Sequence, residues 1–340
     1  MNTLEHVDIK DNCTLRVGGQ FRYFIELSDK SELPEVYKFA DEKKLPVFIL
    51  GGGSNLVFPD GVLEQVVVKI NFLGFEIIND TENYTDLKIG AGENWDSVVE
   101  RAVVMNLSGI EAMSAIPGTT GATPVQNVGA YGQEIKDTLF EVEVFDIENS
   151  TIKTIKNSDC HFAYRNSIFK GEARGKYVII STTLRLSKDR PFIPNYPGVK
   201  KYFLENNINN PTLKQIREAI IDIRRNKLPD PKEIPSVGSF FKNSIVPKLV
   251  ADNLKKQYPS MILFPVNENE IKVPSGFLIE EAGLKGKNFG TISSYANNAM
   301  VLVNNGGATR SDVERVCDEI TQIIFNKFGI RLETEPEFVY

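Results

Sequence analysis

The sequence has few residues of the kinds that hold metals or form cross-links. Its 340 residues include 3 cysteines and 2 histidines. Cys13, Cys160 and Cys317 are odd in number and far apart, which favours reduced thiols over a disulfide framework. So few thiol and imidazole ligands predict no zinc or iron site. Any chemistry then falls to carboxylates, hydroxyls, cations or an organic cofactor.

The chain also lacks an excess of basic charge and any long apolar run. Lys and Arg number 39 against 45 Asp and Glu, a net charge of −6, so we predict no nucleic-acid partner. No segment approaches the ~18 uncharged apolar residues of a membrane span, and residues 1–12 do not have the pattern of a signal peptide. We therefore expect a cytoplasmic protein with no membrane partner.

The length and the periodicity of the chain predict more than one α+β domain. At 340 residues and 38.1 kDa the chain exceeds one ordinary hydrophobic core. Residues 44–50 form a short apolar run typical of a buried strand, and residues 62–187 are mostly strand-like. One helix interrupts them at 95–104, with Asp96 as its predicted cap.

The second half of the chain predicts a boundary followed by two capped helices. Residues 187–211 hold four prolines and no sustained periodicity, so we interpret them as a linker or mobile loop at a domain boundary. Thr212 and Gln215 then stand in capping-box spacing before an amphipathic helix. Ser311 and Glu314 repeat that spacing before the last helix.

Glycine is concentrated in the first half. Gly51, Gly52 and Gly53 follow a buried strand, and three glycines let backbone N–H groups approach a pyrophosphate. The spacing G-x-G-x-x-G is not met, because Leu56 stands where the third glycine belongs. A plain tight turn explains this stretch equally well.

Two further glycine-rich segments favour a cofactor. Residues 116–132, IPGTTGATPVQNVGAYG, are too polar for a core strand and too apolar for a solvated linker. Residues 90–95, GAGENW, add a third turn. Because each glycine costs chain entropy unless close approach is needed, three such segments favour a nucleotide-like cofactor over decorative turns.

The sequence resembles the UDP-N-acetylenolpyruvoylglucosamine reductase (MurB) family over almost its whole length. The resemblance rests on motifs in family order: TLRVGG (14–19), ILGGGSNLVF (49–58), GAGENW, IPGTTGATPVQNVGAYG, FAYRNSIFK (162–170), KLPDPK (227–232), GSFFKN (238–243) and EPEF (335–338). It implies an α+β protein: an FAD-binding fold of the vanillyl-alcohol-oxidase type, with two α/β subdomains, plus a C-terminal α+β substrate domain. The implied parts are FAD-binding subdomains at 1–70 and 71–200, a substrate-binding domain at 212–332 and a terminal strand at 333–340.

The resemblance also implies where FAD binds. The pyrophosphate would lie on Gly51, Gly52, Gly53, Ser54 and Asn55. The rest of the cofactor would lie near Pro117, Gly118, Thr119, Gly121, Gln126, Asn127 and Gly129. Neither loop contains a histidine, so the flavin is expected to be non-covalent.

By the same resemblance, three residues carry the reaction. NADPH would give a hydride to FAD, which would pass it to C3 of an enolpyruvyl ether on UDP-N-acetylglucosamine. Electron density then moves onto C2 and its carboxylate, so the reaction needs a cation and an acid. Arg165 matches the cation, Ser239 the acid that protonates C2, and Glu337 the third active residue. Each taken alone has a structural alternative: a surface ion pair, a turn residue or a solvated carboxylate.

The segment around Ser239 would form a wall of the reaction pocket. Gly238 is expected to let the backbone approach the substrate. Phe240 and Phe241 are expected to anchor the segment.

Three more positions match family residues that contact the substrate or the nicotinamide nucleotide. Tyr196 is the candidate lid over the diphosphate, and Lys227 and Asn243 are the others. Lys227 also suits a helix C-terminus, which is its structural alternative. The sequence departs from the family pattern at Pro197, inserted after the tyrosine, and at Ser244, where a proline is common. The expected partner is a nucleotide sugar, and the expected state is a monomer.

Other functional classes remain open from the sequence. A flavin oxidase acting on a sugar or alcohol would account for the glycine loops but leave Ser239 and Glu337 without tasks. A flavin- or nucleotide-sugar-binding regulator would be yellow but not reduced by NADPH. An α/β scaffold with glycine turns would be colourless.

Overall fold

A computed structural model describes residues 1–189 and 191–340. The chain folds into two compact units, and three separate stretches of chain contribute to each. Unit 1 comprises Met1–Val7, Phe21–Gly52 and Glu64–Arg224, and unit 2 comprises Asp8–Gln20, Gly53–Leu63 and Arg225–Tyr340. The boundaries of these units differ from those of the four predicted domains, which stay a prediction.

The strands and helices mix throughout the chain. The strands are β1 Thr3–Asp8, β2 Gln20–Leu27, β3 Val47–Leu50, β4 Leu56–Val57, β5 Val62–Ile70, β6 Phe75–Asp80, β7 Tyr84–Gly90, β8 Gly129–Ala130, β9 Gln133–Glu134, β10 Leu139–Asp146, β11 Thr151–Lys156, β12 Tyr177–Ser187, β13 Ser236–Ser239, β14 Ser244–Pro247, β15 Phe264–Pro265, β16 Glu270–Val273, β17 Ile292–Tyr295, β18 Asn298–Asn304 and β19 Glu337–Phe338. The helices are α1 Leu33–Lys43, α2 Trp95–Val104, α3 Pro197–Glu205, α4 Leu213–Lys227, α5 Lys248–Gln257, α6 Ser275–Glu281 and α7 Arg310–Phe328.

Unit 1 is built on two sheets. One has the strand order β1-β2-β5-β3, with β3 parallel to β5, and the other is antiparallel with the order β11-β10-β12-β7-β6. The central strand β12 is buried along most of its length, which explains its nearly continuous run of apolar and β-branched residues. One apolar core containing Trp95, Leu87 and Val142 joins elements of both sheets.

The segment predicted as a linker contains a helix. The prediction of irregular structure over 187–211 is wrong, because α3 occupies residues 197–205. Tyr196 is its N-cap and Pro197 its first residue, a position where proline's missing N–H costs nothing. Val199 and Phe203 are buried in an apolar cluster with residues of α4, so tertiary packing supplies what the sequence periodicity lacks.

Unit 2 has three small sheets around a second apolar core. Their strand orders are β13-β18-β17, β14-β16-β15 and β19-β4, the last a parallel pair. Helices α5, α6 and α7 pack with them over a core that includes Phe240, Phe241 and Leu15. Leu15 comes from the early stretch Asp8–Gln20, so this core needs residues from both ends of the chain.

The helix caps follow the predictions in one case of three. Thr212 and Gln215 exchange hydrogen bonds ahead of α4, as predicted: the Thr212 N–H donates to Gln215 Oε1 at 3.0 Å. The cap of α2 is Asn94, not Asp96, and the capping box of α7 is formed by Thr309 and Asp312, two residues before the predicted pair.

The fold confirms the predicted α+β class, with antiparallel sheets and helices in both units. Over the residues that the structure describes, no helix combines the length and apolarity needed to cross a membrane. The three cysteines are free and buried. Burial raises the pKa of both Cys160 and Cys317 to about 12, so these thiols stay protonated at neutral pH.

Candidate active site

In unit 1 the first glycine loop packs directly against the second. A Cβ on Gly52 would stand 2.8 Å from the Gly118 Cα, and one on Gly51 would stand 2.7 Å from the Thr119 Oγ1. Separations this short leave no room for a side chain. Gly52 is therefore needed because the two loops meet there backbone to backbone, whereas Gly51 makes room for the side chain of Thr119.

The third glycine-rich turn, residues 90–95, is hydrogen-bonded to the second glycine loop, residues 116–132. The Trp95 N–H donates to the Gly118 carbonyl at 3.1 Å, and the Gly121 N–H donates to the Ala91 carbonyl at 2.9 Å. A Cβ on Gly121 would lie 2.6 Å from the Ala91 Cβ. The second glycine loop therefore contacts both of the other glycine-rich segments, and Gly52 and Gly121 are glycines because of these contacts.

The last three residues of the first glycine loop belong to unit 2. Gly53 adopts a left-handed φ of 62°, and its carbonyl accepts a hydrogen bond from the Thr14 N–H at 3.1 Å. The Asn55 carbonyl accepts the Glu337 N–H at 3.0 Å. Ser54 lies between them and is partly buried. The predicted pyrophosphate residues 53–55 therefore adjoin the strand that carries Glu337.

The remainder of the 116–132 loop is bonded to the motif that contains Arg165. Buried Asn127 donates through Nδ2 to the Ala163 carbonyl at 3.1 Å, and the Ser167 hydroxyl donates to the Val125 carbonyl at 2.7 Å. Arg165 donates through Nη2 to the Gly129 carbonyl at 3.2 Å.

Arg165 and Asn127 have left-handed φ values of 55° and 47°. Such conformations are uncommon for residues with side chains and are enriched at functional sites. Gln126 is partly buried and Pro117 is exposed, so the loop also offers accessible surface near these residues.

In unit 2 Ser239 ends β13 and is partly exposed. The next residue, Phe240, donates its N–H to the Met300 carbonyl at 2.7 Å and accepts the Glu335 N–H at 2.9 Å. Phe240 and Phe241 are fully buried, which agrees with the predicted anchoring role. The segment is therefore fixed between β18 and the residues that lead into β19.

The structure gives a backbone reason for a glycine at position 238, while the expected approach to the substrate stays a prediction. A Cβ at this position would have no protein atom within 4 Å, so packing does not require a glycine. Its φ of +72° does, because other residues adopt this conformation only with strain. Gly238 sets the backbone turn that precedes Ser239.

Glu337 lies on β19, which packs beside the Ser239 segment. Phe338 places its ring 6.3 Å from that of Phe240, at 80°. Because Phe338 follows Glu337 and Phe240 follows Ser239, unit 2 brings these two predicted catalytic residues onto neighbouring segments. Arg165 belongs to unit 1.

The predicted substrate residues lie on three elements. Tyr196 sets its ring edge-on to Tyr131 at 5.3 Å, so the candidate lid contacts the end of the second glycine loop. Lys227 is the exposed last residue of α4. Asn243 accepts the Ser275 N–H at 3.1 Å through Oδ1, which holds the start of α6. Ser244 starts β14, and its hydroxyl lies 3.3 Å from that of Ser275.

Sequence reasoning missed a charged cluster on α4. Arg217 makes a bidentate pair with Asp96, at 2.6 and 3.0 Å, and Asp96 also accepts the Ala115 N–H at 2.6 Å. Arg224 donates to the Ala115 carbonyl at 3.3 Å and hydrogen-bonds the Tyr131 hydroxyl. Both the N–H and the carbonyl of Ala115, whose φ is +58°, are thus hydrogen-bonded just before the second glycine loop.

The signal for this cluster was present in the sequence. Arg217 and Arg224 stand seven residues apart among the apolar positions of α4, where charged residues are rarely buried without a partner. Burial lowers the pKa of Arg224 from its ordinary value, and Tyr131 and Asp96 oppose that shift. Burial would raise the pKa of Asp96, but the hydrogen bonds from Arg217 and Ala115 outweigh it and hold that pKa below its ordinary value.

The ion pair of Asp96 with Arg217 should make the stability of the fold depend on pH in the acidic range. Because the folded pKa lies below the unfolded value of about 3.9, the carboxylate stabilises the fold at neutral pH and this contribution is lost as pH falls from about 4. We expect Asp96→Asn to lower the unfolding free energy at pH 7 by about 2 kcal/mol, measured by urea unfolding. Variant and wild type should converge as Asp96 itself becomes protonated.

The matched control for this prediction is Glu205→Gln. Its pair with Lys201, at 3.6 Å, is exposed, so the change should stay within about 0.5 kcal/mol. An Asp96→Asn loss of the same size at pH 7 and at pH 3 would contradict the predicted role of the charge.

Each of the two glycine loops has residues that fit part of a dinucleotide such as FAD. Residues 51–55 and 116–132 contain no charged side chain, so a pyrophosphate there would meet N–H groups and hydroxyls without a repelling carboxylate. The Thr14 hydroxyl, beside Gly53, is buried and has no hydrogen-bond partner among the described residues. Since buried hydroxyls are normally paired, this atom fits a ligand supplied from outside the chain.

The fold and these loops define the class: an FAD-binding protein of α+β architecture, with a second unit whose residues come mostly from the C-terminal third of the chain. Comparison with known proteins supports this, because a family model described as FAD binding domain matches residues 21–156. A second model, described as UDP-N-acetylenolpyruvoylglucosamine reductase, C-terminal domain, matches residues 230–339. The chain belongs to the UDP-N-acetylenolpyruvoylglucosamine reductase family, which confirms the resemblance and makes it an oxidoreductase.

Full-length relatives carry this assignment. A UDP-N-acetylenolpyruvoylglucosamine reductase from Flavobacterium johnsoniae is 40% identical over 340 residues, covering 100% of both chains. One from Bdellovibrio bacteriovorus is 39% identical and covers 97% of both chains. The crystal structure of the MurB protein from Thermus caldophilus matches all of both chains with a TM-score of 0.65 and 23% identity, and supports the fold.

Proposed function

We propose that this protein is an NADPH-dependent flavoenzyme that reduces UDP-N-acetylglucosamine enolpyruvate to UDP-N-acetylmuramate. The observation that carries the proposal is the arrangement in unit 2, where Ser239 and Glu337 lie on adjoining segments beside Asn55. An oxidase would need the glycine loops but would give these two residues no task. The family relationship supports the same substrate.

FAD would be held without a covalent bond. Backbone N–H groups of Gly51, Gly52 and Gly53 with the polar groups of Ser54 and Asn55 suit the pyrophosphate. Polar and glycine residues of the second loop suit the remainder: Pro117, Gly118, Thr119, Gly121, Gln126, Asn127 and Gly129. When bound, FAD would supply the hydride transfer between NADPH and C3 of the enolpyruvyl group.

The chain's own residues complete the reduction at C2. Arg165 stabilises the negative charge that spreads over C2 and the adjacent carboxylate. The Ser239 hydroxyl donates a proton to C2, so one hydride and one proton are added across the double bond. A serine hydroxyl is a weak acid, and this step depends on its contact with a strongly basic carbon. Glu337 assists the charged enol form or orients its neighbours.

Three residues would recognise the nucleotide sugar or the nicotinamide nucleotide. Lys227 is exposed and carries the positive charge that a diphosphate requires. Tyr196 would close over that diphosphate from the start of α3. Asn243 would contribute its amide, whose oxygen already fixes α6.

The product places the protein in the synthesis of peptidoglycan precursors. UDP-N-acetylmuramate feeds cell wall biogenesis, and through it cell shape and cell division. In this role the protein acts in the cytoplasm on a nucleotide sugar, and we expect it to act as a monomer.

An anaerobic absorbance experiment tests the proposal. We expect purified protein to be yellow, to lose its flavin absorbance on addition of NADPH, and to recover it on addition of the enolpyruvyl sugar. Recovery only with air would instead indicate an oxidase. A yellow protein that NADPH does not bleach would indicate a binding protein, and a colourless one would remove the cofactor from the proposal.

A further inference from the structure

Arg310 occupies a position that helix and burial preferences both disfavour. It is the first residue of α7, where a cation opposes the helix dipole, and it is 7% exposed. Removing a guanidinium from water costs several kcal/mol unless its donors are satisfied. Tertiary contacts must therefore supply the reason for an arginine at this position.

Arg310 contacts the last three residues of the chain as well as Glu314. Its Nε donates to Glu314 Oε1 at 2.8 Å, and its Nη1 donates to the Val339 carbonyl. The guanidinium lies 4.2 Å from the centre of the Tyr340 ring and 5.4 Å from that of Phe338. One buried side chain thus contacts three consecutive residues, all directly after Glu337.

Strand β19 needs such an anchor because it is very short. It pairs in parallel with β4 over two residues, Glu337 with Leu56 and Phe338 with Val57. Backbone hydrogen bonds from the N–H of Glu337 to the Asn55 carbonyl at 3.0 Å and from the N–H of Val339 to the Val57 carbonyl at 2.9 Å flank this short pairing. Two-residue pairing is marginal by itself, so side-chain contacts must fix its position.

We propose that Arg310 is a positioning residue that holds β19, and with it the carboxylate of Glu337, in place for the reaction. The ring contact between Phe338 and Phe240 extends the effect to Ser239. The part that concerns catalysis rests on the proposed function. The part that concerns the strand does not.

Hydrogen exchange and half-reaction kinetics on Arg310→Ala test the two parts. The substitution keeps the backbone N–H that donates to Asp60 at 2.7 Å, so α7 stays anchored. We expect the amides of Glu337 and Val339 to exchange at least tenfold faster while those of β12 do not change. Bleaching by NADPH should stay within twofold, and reoxidation by the enolpyruvyl sugar should slow at least tenfold.

Unchanged exchange at Glu337 and Val339 would overturn the positioning of the strand, whatever the wild-type enzyme does. Faster exchange with normal reoxidation, or equal slowing of both half-reactions, would overturn the link to catalysis. Wild-type protein that the enolpyruvyl sugar never reoxidises would refute the proposed function, while the exchange result still decides the anchor.

Two further variants keep the experiment decisive. Arg310→Lys retains the charge but replaces the two separate donor atoms that reach Glu314 and the Val339 carbonyl with a single ammonium group. It should therefore show the same pattern with smaller factors, even if Arg310→Ala fails to fold. Arg315→Ala removes an exposed arginine on the same helix, whose nearest acid is Asp312 at 3.6 Å. It should match wild type in exchange and in both half-reactions.

Discussion

Replacement of Ser239 by alanine should separate the two halves of the reaction. The variant should lose flavin absorbance with NADPH at a rate within about twofold of wild type. Its reoxidation by the enolpyruvyl sugar should slow by about 10²–10⁴-fold, the usual contribution of a positioned proton donor. The reason is that hydride delivery from NADPH needs no proton at C2, whereas completing the reduction does. Anaerobic stopped-flow absorbance measures both rates.

Ser244→Ala is the matched control. Its hydroxyl lies five residues further along the chain and contacts the Ser275 hydroxyl at 3.3 Å, so both rates should stay near those of wild type. If Ser239→Ala slows both half-reactions to the same extent, Ser239 is not the proton donor and its role is structural.

Gly52→Val should weaken FAD binding by about 5- to 150-fold and so make the purified protein less yellow. A Cβ at residue 52 would stand 2.8 Å from the Gly118 Cα, so the added side chain must push the two glycine loops apart. Overpacking of this kind costs about 1–3 kcal/mol, and every 1.4 kcal/mol lost from the bound state weakens FAD binding about tenfold. Titration of the apoprotein with FAD, followed by flavin fluorescence, gives the dissociation constant.

Gly61→Ala provides the control. A Cβ at Gly61 has no atom within 4 Å, so this variant should bind FAD like wild type and unfold at the same temperature. FAD affinity of Gly52→Val within a factor of two of wild type would show that the loop contact does not shape the cofactor site.

The sequence predicted elements best where the pattern was long or chemically specific. The apolar run at 44–50 contains β3, and both β10 and β12 fall within the stretch 62–187 that was predicted to be mostly strand. Helix α3 was missed because its burial rests on two residues, Val199 and Phe203, among prolines. Cap residues were misplaced in α2 and α7 because Ser, Thr, Asp and Asn are chemically equivalent as caps, and only the backbone selects among neighbours.

For the site, the sequence identified segments but not their connections. The motifs around Gly51 and Gly118 fell on loops, as predicted, and Ser239 lies at the end of β13. Local patterns do not predict contacts between residues that are far apart in the chain. Examples are the ion pair of Arg217 with Asp96, 121 residues apart, and the hydrogen bond from Arg310 to the Val339 carbonyl. The left-handed φ that requires glycine at position 238 could not be predicted either, because a left-handed φ and a tight approach both select glycine.

The interleaving of the two units has a consequence for biosynthesis. Residues 8–20 and 53–63 emerge early from the ribosome, yet the partners that bury Leu15, Val17 and Val57 lie in residues 225–340. These apolar side chains stay exposed to solvent until residues 225–340 have been translated, and exposed apolar surface of this kind favours aggregation. Nascent chains should therefore recruit holding chaperones, and folding of unit 2 should be post-translational and slow, as long loop closures require.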